Sequence, residues 1–272
     1  MDELSWLATQ AGEVARTAGA LLQRRPTEVQ HKGAIDLVTE VDLASELRIR
    51  EEFARRTPEL PVQGEEAGGV SSGTRWVVDP LDGTTNFVHG YPFYCVSIGL
   101  VVGDDPVVGV LYDPVRDRLL LGWRGGGAWV GDQRMSVSDT RRLADTLGIT
   151  GFPYKRRDAL DYYLGFVKRV LQNTQGMRRS GSAAMDLGII ANGQADFFWE
   201  FGLNPWDTAA GALLVQEAGG VVSRLDGGPW VPDSPEIVAS NPWVHEALLE
   251  MLGDRRAAVL SPASPDSPAP RQ

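Results

Sequence analysis

Residues 75 to about 138 can form little other than an antiparallel sheet. Apolar runs at 76–79, 94–102, 107–112, 119–123 and 128–130 are rich in valine, leucine and aromatic residues. They are joined by turns such as Gly103-Asp104-Asp105 and 114–117, which suit hairpins and make a meander. The C-terminal half alternates differently. Strand patterns at 147–150, 177–179 and 195–200 each precede a helical pattern, at 158–173, 183–192 and 206–218, and strands at 221–223 and 237–239 finish the sheet. Before the meander, Leu4, Leu7, Ala8, Ala11, Val14, Ala15, Ala18, Leu21 and Leu22 recur at helical spacing up to Pro26. Residues 26–36 read as a loop. Thr39 precedes Asp42 by three positions, a capping-box start for a helix running to about Arg56, and a short strand is expected near 60–63. The fold class is therefore α/β, an antiparallel meander followed by a mixed sheet with helices.

The 272 residues suffice for one large domain or two small ones sharing a core. The pattern changes near 140–146 without a Pro/Ser-rich linker, so the expected division is 1–143, 144–254 and a tail at 255–272. The tail ends SPASPDSPAPRQ and cannot bury enough apolar surface to order itself. A net charge of −10 argues against a nucleic-acid partner, and also means that a phosphate ligand would be repelled unless cations reverse the local field. No secretory signal and no uncharged stretch of membrane-spanning length are expected, and the single cysteine, Cys95, fits a reducing cytoplasm and reads as inert core.

The run Trp76-Val77-Val78-Asp79-Pro80-Leu81-Asp82-Gly83-Thr84-Thr85-Asn86-Phe87 carries the densest chemistry. Asp79 closes an apolar strand, Pro80 is expected to stop it, and Thr84 or Thr85 to cap a short helix. Hard oxygen ligands and a helix N-terminus would then meet at one point, which suits divalent cations and a phosphate together. Asp82 reads equally as a turn carboxylate. Glu65-Glu66, before a glycine loop, fits a polar turn better than a ligand on spacing alone. Asp207, behind Pro205-Trp206 at the start of an apolar helix, suits either the helix dipole or a metal. The three histidines are scattered and give no zinc pattern. Phe197, Phe198, Trp199 and Phe201 read as strand core before pocket lining.

The segments 76–89 (WVVDPLDGTTNFVH) and 206–220 (WDTAAGALLVQEAGG) resemble the two signature segments of the inositol monophosphatase family. Gly64-Glu65-Glu66 and 32–42 (KGAIDLVTEVD) are similar to its other recurring blocks, and the resemblance spans roughly residues 3–252. It implies a layered α/β/α/β/α sandwich, a homodimer, and a lithium-sensitive, Mg²⁺-dependent phosphatase with two to three metal ions per site. Glu65, Asp79, Asp82, Asp207 and the Leu81 carbonyl would ligate Mg²⁺. Gly83, Thr84 and Thr85 would offer backbone N–H groups to the phosphate. Asp42 would orient Thr84, which with Glu65 would activate a water for in-line attack on phosphorus. Asp82, the Ala183 amide and Glu200 would contact substrate hydroxyls, and Lys32 would lie on a flap over the metals or be a solvated surface lysine. The implied substrate is a myo-inositol monophosphate, within a range that extends to polyol and sugar phosphates. Histidinol phosphate is the first alternative, with fructose 1,6-bisphosphate and 3′-phosphoadenosine 5′-phosphate behind it. A regulatory module that binds the transcription machinery is the alternative of another class.

Overall fold

The computed structural model describes residues 2–24, 26–31, 37–152 and 160–253. Lys32 and the tail beyond 253 lie outside the described residues. Helix α1 (Glu3–Gly19) is capped by Asp2, whose carboxylate accepts from the Ser5 N–H, and buries the stripe Leu7, Ala11, Val14 and Ala18. Strands β1 (Val29–His31) and β2 (Leu37–Thr39) pair antiparallel. Part of the expected loop at 26–36 is thus strand. Three residues are too few to show an alternation, and pairing rather than pattern makes them β. Helix α2 (Glu40–Arg56) starts at Thr39 with the expected capping box: Thr39 accepts from the Val41 and Asp42 amides, and Asp42 accepts from the Thr39 N–H at 2.8 Å.

The meander then builds a seven-stranded sheet. It runs from β3 (Val62–Gly64) and β4 (Arg75–Asp82), past the short helix α3 (Thr84–His89), through β5 (Cys95–Val102), β6 (Asp105–Asp113), β7 (Arg118–Trp123), β8 (Gly127–Val130) and β9 (Gln133–Arg134). Strand β3 lies parallel to β4 and every later pair is antiparallel. The second half supplies β10 (Leu147–Thr150), α4 (Leu160–Asn173), β11 (Gly176–Arg178), α5 (Ala183–Ala191), β12 (Phe197–Phe201), α6 (Pro205–Glu217), β13 (Val221–Ser223), β14 (Glu236–Ser240) and α7 (His245–Leu252). Its five strands are ordered β11-β10-β12-β14-β13, with β10 parallel to both neighbours.

Period-two alternation sorts the side chains into layers. Trp76, Val78, Ile98 and Val110 pack with α1 and α2, and Trp76 stacks on Phe53 at 4.3 Å between ring centroids. Leu111 and Leu120 turn the other way, into a core shared with Leu187 of α5, Leu214 of α6, and Phe198 and Ile237 of the smaller sheet. Phe197, Trp199 and Val238 face outward to Tyr163 and Phe166 of α4 and Leu248 of α7. The result is five alternating layers, α/β/α/β/α, with α5 and α6 between the sheets. Among the described residues no helix is long and apolar enough to cross a membrane.

Two local expectations are corrected. Pro80 does not stop its strand, because β4 continues to Asp82 through a register shift between Asp79 and Asp82. A proline has no N–H to offer the ladder and is tolerated at such a bulge. Neither threonine caps α3: Gly83 is the N-cap, in the left-handed region at φ +100°, and Thr84 is already helical.

Candidate functional site

The bulge decides where the carboxylates of β4 point. Asp79 pairs with Ser97 and Asp82 with Cys95, so three steps along β4 match two along β5. Ser97 and Cys95 share a face of their strand, and so therefore do Asp79 and Asp82. That face is the layer of α5 and α6: the Ser97 hydroxyl donates to the Trp206 carbonyl, and Cys95 belongs to the core between the sheets.

Asp79 is 2% exposed, and its Oδ1 accepts from the Leu81 N–H at 2.9 Å. Burial, and then the charges of Glu65, Asp82 and Asp207, hold its carboxyl well above the usual range. Asp82 Oδ2 accepts from the Ser182 hydroxyl and the Ala184 amide, both at 2.7 Å, so it closes the N-terminus of α5. Burial pushes Asp82 up to about 6, while those bonds and the Ala183 and Met185 amides pull it down. At the start of α6, Asp207 Oδ2 accepts from the Asn204 N–H at 2.7 Å; burial and the Asp82 charge push it up to about 8. The helix-start role and the proximity to other acids thus coexist in one residue.

Asp79, Asp82 and Asp207 line one cavity of about 230 Å³ together with Glu65. Leu81, Gly83, Thr84, Thr85, Ala183 and Glu200 line it too. The Glu65 amide donates to the Val78 carbonyl at 3.2 Å, which seats the β3 turn beside β4. Asp42 stands behind Thr84, and the Thr84 hydroxyl reaches Asp42 Oδ1 at 3.0 Å and the Leu81 carbonyl at 3.1 Å. The first N–H groups of α3, at Thr84 and Thr85, have no partner within the helix and can face an anion. Phe197, Phe198 and Trp199 are core, as expected, whereas Phe201 reaches the cavity as well.

Asp186 and Arg179 also line the cavity, and the sequence pattern does not single them out. Asp186 sits in the first turn of α5, where an acid is ordinary for a helix dipole, so spacing alone holds no signal. Its Oδ1 is buried without a hydrogen bond, and burial holds its carboxyl well above the usual range. Glu200, 8% exposed, is raised by burial and then by Asp186 and Asp207. A second cavity of about 170 Å³ lies by Phe93, Met185 and Ile189, and its carboxylate, Asp113, is paired with Arg116 at 2.9 Å.

Buried like charges with oxygen-only donors are the chemistry of a hard divalent cation, which would relieve their repulsion. Oxygen-only donors suit Mg²⁺, which takes few carboxylates and fills its shell with waters and substrate phosphate oxygens. The donor set therefore fits Mg²⁺.

The model of the inositol monophosphatase family matches residues 3–256. The chain is 43% identical over 258 residues to the inositol-1-monophosphatase of Synechocystis sp., covering 92% of this chain and 90% of the relative. It is 40% identical over 258 residues to the Nus factor SuhB of Escherichia coli K12, covering 92% and 97%. Among solved structures, the inositol monophosphatase from Anabaena superposes with a TM-score of 0.84 at 40% identity, over 92% of this chain and 96% of that one. The extragenic suppressor protein suhB from Bartonella henselae gives 0.86 at 38% identity, over 90% and 98%.

Proposed function

The chain belongs to the inositol monophosphatase family, and on that footing we propose that it is a Mg²⁺-dependent phosphomonoesterase acting on myo-inositol monophosphates and related polyol phosphates. The observation that carries the reading is the convergence of Asp79, Asp82, Asp207 and Glu65 on one cavity beside the N-terminus of α3. Mg²⁺, held by those four side chains and the Leu81 carbonyl, would supply Lewis-acid polarisation of the phosphate and a lowered pKa for water.

This chain's residues do the rest. The amides of Gly83, Thr84 and Thr85 bind the phosphate and fix its orientation. A hydroxyl has one proton to give. With that proton on Asp42 Oδ1, the Thr84 lone pairs are left to accept from a water and aim its oxygen at phosphorus. Glu65 takes the proton from that water as the bond to the leaving alkoxide breaks. Glu200, Asp82 and the start of α5 face the alcohol portion, where carboxylates accept from hydroxyls. A cationic alcohol such as histidinol would also suit so acidic a wall, and histidinol phosphate remains the competing substrate.

Phosphate release from myo-inositol 1-phosphate, histidinol phosphate, fructose 1,6-bisphosphate and 3′-phosphoadenosine 5′-phosphate, with and without Mg²⁺, tests the reading. A Mg²⁺-dependent preference for the inositol ester supports it. Preference for histidinol phosphate keeps the mechanism and replaces the substrate. Absence of turnover from folded protein favours the second reading, a regulatory component, which the likeness to relatives named Nus factor SuhB supports. Cytoplasmic location and a homodimer belong to the same proposal.

A further inference from the structure

Helix α2 presents three polar side chains on one face, Asp42, Ser45 and Glu46, and each holds a different segment of the cavity. Asp42 holds Thr84 of α3. The Ser45 hydroxyl donates to the Pro80 carbonyl at 3.0 Å, inside the bulge that carries Asp79 and Asp82. Glu46, only 2% exposed, holds the turn that carries Glu65. Its Oε2 accepts from the Glu66 amide at 2.7 Å and its Oε1 from the Ala67 amide at 3.1 Å. Arg50, one turn on, donates Nε to Glu46 Oε1 at 2.8 Å and Nη1 to the Val62 carbonyl at 3.0 Å, and also reaches the Gly68 carbonyl. Gly64 is part of the same fitting, since a Cβ there would lie 2.3 Å from Glu46 Oε1.

From this geometry we infer that Glu46, braced by Arg50, is the positioning residue for Glu65, fixing the turn so that the Glu65 carboxylate stands at the metal site. The inference rests on the reading of Glu65 as a metal ligand. A surface ion pair would contribute little, but this carboxylate is buried and accepts from two turn amides and Arg50, and losing such a charged partner leaves amides unsatisfied. Only the residue that shapes the turn would couple to metal binding. A helix-stabilising residue would not.

The test uses the full chain stripped of metal, with Mg²⁺ binding followed by isothermal titration calorimetry and by the Mg²⁺-induced rise in melting temperature. Glu46→Gln keeps the shape but turns an NH₂ group on one of the two amides. It is expected to weaken Mg²⁺ binding by about tenfold or more, the range for groups that orient a metal ligand. At saturating Mg²⁺, kcat should fall while KM for the ester stays within about twofold. Glu52→Gln, which on the same helix loses its pairing with Arg55 and Arg56, is the control: it should lower the melting temperature and leave Mg²⁺ affinity unchanged. Arg50→Lys, which keeps the charge and loses the fork, should shift Mg²⁺ affinity in the same direction as Glu46→Gln, and carries the test should Glu46→Gln not fold. Wild-type Mg²⁺ affinity in a folded Glu46→Gln or Arg50→Lys protein overturns the inference alone. A wild-type protein that neither binds Mg²⁺ nor hydrolyses any ester overturns the functional proposal, and the inference with it.

Discussion

The Thr84 hydroxyl lies 3.0 Å from a carboxylate oxygen of Asp42, a residue 42 positions earlier and 1% exposed. Burial raises the Asp42 carboxyl, and the bonds from Thr39 and then Thr84 lower it. In the proposed mechanism the single Thr84 proton goes to Asp42, and the Thr84 lone pairs are left to the attacking water. Thr84→Val removes the hydroxyl at nearly constant volume and is expected to reduce kcat by about 10² to 10³-fold, within the range of positioned proton-transfer groups. Thr84→Ser should recover most of that loss. Steady-state phosphate release for the two variants checks this, and equal activity of Val and Ser would remove the hydroxyl from the mechanism.

Asp82→Asn should nearly abolish turnover and preserve the fold. The asparagine oxygen can still accept from Ser182 and the Ala184 amide, so α5 keeps its start, while one of the buried like charges disappears. In metal-free protein the melting temperature is expected to stay level or rise, because charge repulsion with Asp79 and Asp207 is relieved. Calorimetry beside a turnover assay separates the two effects; wild-type turnover would take Asp82 out of the site.

Gly83→Ala tests the turn that aims α3. At φ +100° any side chain is strained, and a Cβ would lie 3.1 Å from the Phe93 carbonyl. A loss of about 1–2 kcal/mol in stability is expected from the left-handed conformation, with a larger proportional loss of kcat as the Thr84 and Thr85 amides shift. Denaturant unfolding and kinetics on the same preparation measure both.

His245, at the first position of α7, lies between Ser223 and Ser240, with Nε2 2.9 Å and Nδ1 2.7 Å from their hydroxyls. Burial holds its pKa below the ordinary histidine value, so the folded chain binds fewer protons there than the unfolded one. Its stabilising contribution is present above the unfolded pKa of about 6.5 and is lost as pH falls through the folded value. Between pH 7 and pH 5 the buried acids of the cavity, raised in both proteins, cancel in the comparison, so wild-type melting temperature should fall relative to that of His245→Gln, which cannot take up the proton. Parallel curves for the two proteins would assign the acid sensitivity elsewhere.

Much of the site could be read from one line of residues because its parts are local. The capping box at Thr39 and the helix start at Asp207 each depend on neighbours within four positions, and both take the expected places, whereas the acid pair of β4 is visible as residues but owes its shared face to the bulge against β5. The features that escaped depend on distant partners. Pro80 looks like a strand terminator until β5 supplies the pairing that makes it part of a bulge and Ser45 the donor that holds its carbonyl. Strands β1 and β2 exist only through each other. Asp186 looks like any acid in a first helical turn, and only the stacking of α5 against the cavity gives its buried oxygen a meaning. Glu46 is one acid among several on α2, and its role appears only when the turn after β3 folds back onto it.

The bond from the Ala184 amide to Asp82 spans 102 positions, and Asp207 lies farther along the chain still. A nascent chain emerging at about 5–20 residues per second would complete its meander at β9 and then wait roughly 2.5 to 10 seconds for α5 to arrive. During that interval Asp79 and Asp82 have no helix layer over them and remain hydrated, so the meander can form without confining their charges. The full set of cavity residues is then the last feature the polypeptide acquires, and a fragment truncated before α5 would leave the Leu111 and Leu120 face of the sheet bare and hold only part of the proposed reaction centre.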